Sequence, residues 1–335
     1  MKTYSLTIKP LSGFGTPLKG DTLFGHICWQ AAYDEALFGK SIDALLSDYA
    51  LNPFMVVSSA YPKFGDLYAL RRPHLPFHML FAEAGQTLNE KMRNRKELKK
   101  KEWILVSAEQ RFETTRSAAY KDSQELLNMA AGHKKQRQNS RKTILADFAQ
   151  PHNTINRMTG TTGEDRFAPF SVDQTVFTPD LELVVFVGLR EDIKIKDAEK
   201  ALRQIGETGF GKDASTGLGR FAVGGCEEID LNSLGSSNPT GCYTLAPCLP
   251  QKDKFYNTYF SPFTRFGRHG DVMAKSGKPF KNPVIMADEG SVFMPLSSEL
   301  FNRKYIGTAI SGVSKAQPET VVQGYSLFIP VRVEA

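Results

Sequence analysis

Residues 206–213 read GETGFGKD, one position away from the phosphate-gripping pattern GxxxxGK[ST] of nucleotide hydrolases. Two features oppose that chemistry. The residue after the lysine must offer a hydroxyl to a magnesium ion, and Asp213 instead sets a carboxylate beside the phosphates. Such a loop also leaves a strand and enters a helix whose N-terminus faces the ligand. Here a helical pattern precedes the loop (197–205, with Ala198, Ala201, Leu202 and Ile205 on one side) and a strand pattern follows it (220–223). What is left is a long loop holding Gly206, Gly209, Gly211, Gly217 and Gly219, interleaved with Lys212, Ser215, Thr216 and Arg220. Glycines admit positive φ and let main chain lie close against a ligand. Successive amides can then grip phosphate oxygens, with hydroxyls and cations completing the hold. A plain helix-to-strand turn needs neither five glycines nor two cations, so the loop reads as a candidate site for the backbone of a nucleotide strand.

Catalytic groups are sparser. General acid–base work needs a group with a pKa near the working pH, within hydrogen-bond reach of the reacting atoms; the histidines available are His26, His74, His78, His133, His152 and His269. His74 and His78 flank Pro76, which excludes the helical i, i+4 pairing of a metal site. The carboxylates form no DxD or paired arrangement of the kind two-metal nucleases use. Cys28, Cys226, Cys242 and Cys248 show no CxxC spacing and read as reduced, partly buried thiols of a cytoplasmic protein. No catalytic residue, metal or cofactor is expected.

The elements that must position the loop follow from the apolar pattern. Residues 3–10 alternate as a strand, and 11–20, with three glycines and Pro17, form a loop. Asp21 is placed to cap a helix in which Leu23, Phe24, Ile27, Cys28 and Ala31 recur at helical spacing. A helix at 42–49 and a strand at 54–60 follow. Regular pattern is then lost across residues 61–170, and so long a stretch reads as an insertion with a job. A buried strand at 181–189, the helix at 197–205 and the strand at 220–223 complete the order strand, helix, strand, strand, helix, strand. That is the ferredoxin-like split βαβ arrangement, an antiparallel sheet with two helices on one face. Residues 231–239 read as a linker, and strands at 243–246, 291–294 and 326–333 as a more degenerate second domain.

The expected fold is therefore α+β, with two ferredoxin-like domains of RNA-recognition-motif type. The first spans 1–230, with the insertion 61–170 and the glycine-rich loop 206–219; the second spans 231–335. A length of 335 residues suits two domains. With 41% apolar and 23% charged residues the chain is too apolar to be disordered, and its longest greasy run, 183–189, is far too short to span a membrane. The first residues carry no apolar signal core, so secretion is not expected. The net charge of +6 is local: residues 91–101 and 133–142 together carry +11, leaving −5 for the remainder. Two basic runs on an acidic body favour a polyanionic partner.

With these residues in hand, the chain resembles a known family. GFGKDASTGLGRF (209–221) looks like the C-terminal glycine-rich loop of the RAMP superfamily of CRISPR RNA-binding proteins, whose fold is ferredoxin-like. FGTPLKGDTLFGHICW (14–29) is similar to the opening of the Csm-type subunits that cap the 5′ end of the guide RNA in subtype III-A effector complexes. LRRPHLPFH (70–78), HNTINRMTGTT (152–162) and GYSLFIPVRV (324–333) fit the same family. The resemblance implies a non-catalytic subunit for antiviral defence. It would hold the repeat-derived 5′ tag of the crRNA and dock against the large polymerase-like subunit and a backbone RAMP subunit, away from any membrane. It further implies tag contacts from Lys19 in the first loop, from Gly209, Gly211, Lys212, Ser215, Thr216 and Arg220 around the glycine loop, and from His152, Asn153 and Arg157 in a thumb-like hairpin.

The chemistry of the residues agrees with this. A single strand with splayed bases is read by amides, hydroxyls, asparagines and flat side chains, and Phe14, Phe210 and Arg71 or Arg72 offer such planes unless they serve the core or a solvated rim. Two other classes compete. Some relatives cut RNA without metal using a histidine, and His26 lies near the position such relatives use, although its apolar helical setting reads as structural. A scaffold that touches only proteins would bind single-stranded RNA weakly. Within the RNA-binding class, the equivalent subunit of a III-B or III-D complex shares the glycine loop.

Overall fold

The alternation in residues 3–9 puts Leu6 and Ile8 wholly inside as strand β1 (Lys2–Pro10). The structure is a computed structural model describing residues 1–82, 87–116, 118–132, 143–164 and 167–334. Beyond the first loop, helix α1 (Gly20–Tyr33) turns Leu23, Phe24, Ile27 and Ala31 inward. Its N-cap is Lys19 and not the expected Asp21. Asp21 enters the first turn, where Arg265 grips both carboxylate oxygens at 2.6 and 2.8 Å and only 2% of its side chain is exposed. A forked, charge-assisted partner from the far end of the chain outweighs the local cap.

Helix α2 (Ile42–Ser47), capped by Ser41, leads into β2 (Met55–Phe64). This strand runs four residues past its expected end, through Pro62, after a bulge between Val57 and Ala60. The expected insertion 61–170 is consequently not a detached body. β3 (Leu67–Arg71), helices α3 (Phe77–Leu80) and α4 (Leu88–Lys99), β4 (Trp103–Val106) and β5 (Tyr120–Lys121) follow, and the three strands widen the main sheet. Strands of two to five residues show no readable period, and β4 is buried on every residue. The basic run 91–101 forms most of α4, a helix with no buried residue whose start is closed by a capping box between Thr87 and Glu90. The run 133–142 lies outside the described residues.

After α5 (Ser123–Gly132), strands β6 (Leu145–His152) and β7 (Phe170–Phe177) form a two-stranded sheet of their own, a projecting hairpin. Then β8 (Glu182–Leu189), α6 (Ile195–Thr208) and β9 (Phe221–Glu228) close the first sheet, whose order is β5-β4-β3-β2-β8-β1-β9. The units β1-α1-β2 and β8-α6-β9 interleave, so β8 lies antiparallel between β1 and β2 while α1 packs beside α6.

The remaining strands are β10 (Gly241–Thr244), β11 (Phe255–Tyr259), β12 (Pro262–Arg265), β13 (Val284–Ala287), β14 (Val292–Pro295), β15 (Tyr305–Gly307) and β16 (Tyr325–Val331). Five of them form a sheet ordered β11-β14-β10-β16-β15, and β12 pairs with β13. Among described residues this half has 3-10 turns and no α-helix. The two sheets share one core: Tyr243, Leu245, Leu327 and Ile329 belong to the same buried cluster as Leu6 and Val185. No helix among the described residues is long and apolar enough to cross a membrane.

The expected linker 231–239 is a packed joint. Leu231 and Leu234 are buried in a 3-10 turn, Phe112 N–H donates to the Leu234 carbonyl at 2.7 Å, and Ser236 N–H donates to the Pro330 carbonyl at 2.7 Å. Its glycine, serines and asparagine mark turns, while the two leucines anchor it. Leu234→Ala is therefore expected to destabilise the protein by ~2–4 kcal/mol in urea unfolding; a slack linker would tolerate the change within ~0.5 kcal/mol.

Candidate nucleic-acid interface

The glycine loop leaves α6 through Gly209 (φ +101), whose N–H donates to the Ile205 carbonyl at 2.8 Å. Phe210 turns fully inside, its ring 4.6 Å from that of His26. The chain is then fastened to α1 and to the first loop. Gly211 N–H donates to His26 Nε2 at 3.2 Å, Lys212 N–H to Thr16 Oγ1 at 2.9 Å, Gly219 N–H to the Gly13 carbonyl at 2.7 Å, and Arg220 N–H to Ser12 Oγ at 2.9 Å. Gly211 (φ +77) and Gly219 (φ +74) have to be glycine, because a Cβ would collide with Thr16 at the first and with the Phe210 main chain at the second.

These contacts correct the expected mode of binding. The amides of Gly209 and Gly211 are engaged within the protein, and the glycines bring two loops together instead of baring main chain to a ligand. What remains outward is the tip, where Lys212, Ser215, Thr216 and Arg220 are exposed. Thr216 Oγ1 donates back to the Asp213 carbonyl at 2.8 Å, bracing the turn, and the tip presents Arg220, the Ser215 hydroxyl and Lys212, whose ammonium lies 3.8 Å from Asp213 in a loose, exposed ion pair.

The other side of the first loop lines a cleft of about 680 Å³ between the main sheet, the β6–β7 hairpin and the turn after β13, which also takes in Arg71, Arg72, His74, Trp103 and Glu289. Lys19 does not present a free charge there. Its Nζ lies 2.5 Å from Asp288 Oδ1 and 2.6 Å from Glu289 Oε2, and its side chain is 13% exposed. Burial pushes the Glu289 carboxyl up to about 7, against the pull of Lys19. Arg71 lies 4.0 Å from the Trp103 ring centre and borders the cleft with 43% of its side chain exposed, a flat cation in an open setting. Arg72 is committed elsewhere: Nη1 donates to the carbonyls of Leu98, Lys99 and Lys101, closing the end of α4. Phe14 and Phe210 are core residues and not stacking planes, Phe14 lying edge-on to Phe177 with ring centres 5.5 Å apart.

The projecting hairpin carries the third group. His152 stacks on Phe170 (5.3 Å, 14° between planes), and Asn153 and Arg157 are exposed beyond it. Asn156 braces the turn, its Oδ1 accepting from Met158 N–H at 2.9 Å. Phe14 and Thr175 exchange two main-chain hydrogen bonds of 2.9 Å, so the root of the hairpin is tied to the first loop as well. The twelve expected residues thus fall into three groups, at the glycine-loop tip, in the cleft and on the hairpin, joined through residues 11–19. Sequence reasoning missed the residues that make this hub, above all Ser12, Thr16, Asp288 and Glu289. The adjacent acids before Gly290 were the one available signal, since so acidic a turn needs a cation.

Three of the described histidines are already engaged within the protein. Desolvation holds His26 down to about 4, and its Nε2 is already an acceptor. His74 is lowered by burial and lies 3.1 Å from the Glu289 carbonyl, and buried His269 lies 2.7 Å from Ser314 Oγ. His78 is exposed on α3, and His133 lies outside the described residues. Among the described residues no three His, Cys, Asp or Glu side chains gather as a metal site.

The fold has solved counterparts. A chain of the Csm1–Csm4 cassette in complex with pppApA superposes with a TM-score of 0.56 at 15% identity, over 100% of this chain and 98% of its own. A chain of the Csm3–Csm4 subcomplex in the type III-A CRISPR-Cas interference complex gives 0.58 at 14%, over 98% and 99%. A chain of the Csm1–Csm4 cassette in complex with cA4 gives 0.55 at 14%, over the whole of both chains. At such identities the likeness is one of fold, and it extends from end to end. No family model matches the sequence. No curated protein matches it either.

Because His26 is neutral in the folded protein, it links loop attachment to pH. Above its ordinary pKa of 6.5 the imidazole is neutral folded or unfolded; between 6.5 and about 4 only the unfolded chain takes up the proton. Stability is thus complete above pH 6.5 and falls as the pH drops toward 4, by on the order of 2–3 kcal/mol. Urea titrations from pH 7 to 4 are expected to show this loss in the wild type and not in His26→Gln. Parallel profiles would mean that the imidazole is not held neutral.

Proposed function

We propose that this chain is a non-catalytic crRNA-binding subunit of a type III-A CRISPR effector complex. It holds the repeat-derived 5′ tag of the guide and docks the large polymerase-like subunit and a backbone RAMP subunit, in cytoplasmic antiviral defence. The observation that carries the reading is the fastening of the glycine loop and the projecting hairpin to one short first loop, which aligns three groups of polar and cationic side chains. We read the βαββαβ part of the first sheet as a ferredoxin-like domain, and residues 231–335 as a second one that has lost its helices. The likeness to chains of Csm1–Csm4 and Csm3–Csm4 assemblies supports the choice of complex.

On this reading Lys212 and Arg220 hold tag phosphates and Ser215 donates to one. Arg71, lying on Trp103, receives a base or a phosphate in the cleft, and Asn153 and Arg157 meet the strand from the hairpin. Lys19 contributes by locking the cleft wall, not by touching RNA. The exposed cations of α4 add a long-range field that steers the guide inward. An occupied, desolvated His26 supports a binder over a nuclease.

The test uses a labelled guide RNA with and without its 5′ tag. Lys212→Ala and Arg220→Ala are each expected to weaken binding of the tagged RNA and to lower the slope of log K against log salt by about 0.7 for each phosphate no longer held. Affinities unmoved by both changes would count against the site. RNA cleaved by the wild type and spared by His26→Ala would replace the binder with an endoribonuclease.

A further inference from the structure

The β12–β13 hairpin extends beyond its named strands. Lys281 N–H donates to the Gly267 carbonyl at 2.8 Å and His269 N–H to the Pro279 carbonyl at 2.9 Å, and Arg268 pairs with Phe280 across the ladder. Burial alternates strictly from Pro262 to Arg268, so the hairpin has two distinct faces. The inner face is locked: Arg265 grips Asp21, and Lys19 lies 4.7 Å from the centre of the Phe263 ring. The outer face carries Thr264, Phe266 and Arg268, with Phe280 and Ile285 from the returning strand. Phe266 is 75% and Phe280 69% exposed, and the Arg268 guanidinium lies 5.5 Å from the Phe280 ring centre.

The charge around these rings is one-sided. Residues 260–283 hold five basic residues and one acidic residue. Arg265 and Lys281 are committed or largely buried, but Arg268, Lys275 and Lys278 are exposed and form no ion pair with a carboxylate among the described residues. Arg268 Nη2 donates to the Ala274 carbonyl at 3.3 Å, which holds the guanidinium beside the rings without neutralising it, and exposed rings alternating with exposed cations match what a single strand offers, a stackable base on every phosphate. A protein partner would have to bring a separate acidic patch beside its apolar area, whereas each nucleotide carries a base and a phosphate together.

We propose that the outer face of this hairpin is a second single-stranded RNA platform, on which bases stack against Phe266 and Phe280 while Arg268, Lys275 and Lys278 hold the phosphates. This rests on the RNA-binding reading above and extends it. Lys19 belongs both to the cleft wall and to the underside of the hairpin, so the platform continues the track away from the glycine loop.

The full-length protein is tested with a labelled single-stranded RNA of mixed sequence, made with and without 4-thiouridine for cross-linking. Phe266→Ala with Phe280→Ala is expected to lower affinity at least ~tenfold. Arg268→Ala, Lys275→Ala and Lys278→Ala together should flatten the salt slope by about 0.7 for every phosphate these cations hold. Cross-links should map to residues 262–285. All five side chains are exposed, and unchanged melting curves will verify that the variants are folded. Wild-type RNA binding that the hairpin variants preserve, while Lys212→Ala and Arg220→Ala weaken it, overturns the platform and leaves the tag reading standing. Failure of the wild type to bind RNA overturns both. Loss of association with purified partner subunits at unchanged RNA affinity overturns the platform too, by making the face a protein contact.

Discussion

The first loop, residues 11–19, is the constraint from which the rest of the site follows. Nine residues receive the glycine loop through Ser12, Gly13 and Thr16, receive the hairpin root through Phe14, and pass their own Leu18 carbonyl to Ala60 N–H in β2. The bonds to Ser12 and Thr16 are exposed, but where packing keeps water from the main chain, leaving a polar group unmade costs about 1–3 kcal/mol. The arrangement is therefore cooperative: a loop that let go would orphan groups on both partners. Binding surfaces on rigid supports lose less entropy when a ligand arrives, and the interlocked loops are such a support.

Three ion pairs fix the second half of the molecule onto that hub. Lys19 reaches Asp288 and Glu289, and Asp21 reaches Arg265, so the first turn of α1 and its cap bind both the end of β12 and the turn after β13. Buried pairs add little net stability over apolar side chains of the same size, yet losing one partner costs about 3–5 kcal/mol because the other is left charged and dry. Their contribution is orientation. Apolar contacts between the two sheets would tolerate small slides, whereas a forked guanidinium on a carboxylate tolerates none.

The sequence carried much of this fold because long, regular elements announce themselves. β1, α1, β8 and α6 all lie where their periodicity puts them, and the antiparallel α+β character follows from their order. What escaped were elements whose identity is decided at a distance. β4 and β5 are too short to show a period, and Leu234 is a joint only because Phe112 receives it. Lys19, Asp21 and Arg72 each have residue types suited to binding or capping, and each is claimed by a partner between 26 and 269 positions away. The GFG of the loop was legible as main chain that something approaches closely. That the approaching body is the first loop could not be read from spacing, since Gly211 meets Thr16 only after the whole sheet has closed.

The same distinction, between a side chain's type and what claims it, applies to His26. A catalytic imidazole has to remain poised, hydrated enough to titrate near neutrality and with a free nitrogen aimed at substrate. His26 fails on each count, because the aromatic and helical surroundings that strip its water are those that make it a good acceptor for the Gly211 amide. Charging it would break the bond that seats the loop. A residue whose neutrality holds the loop in place cannot also shuttle protons, so acid–base work by His26 would first require a second anchor for the glycine loop.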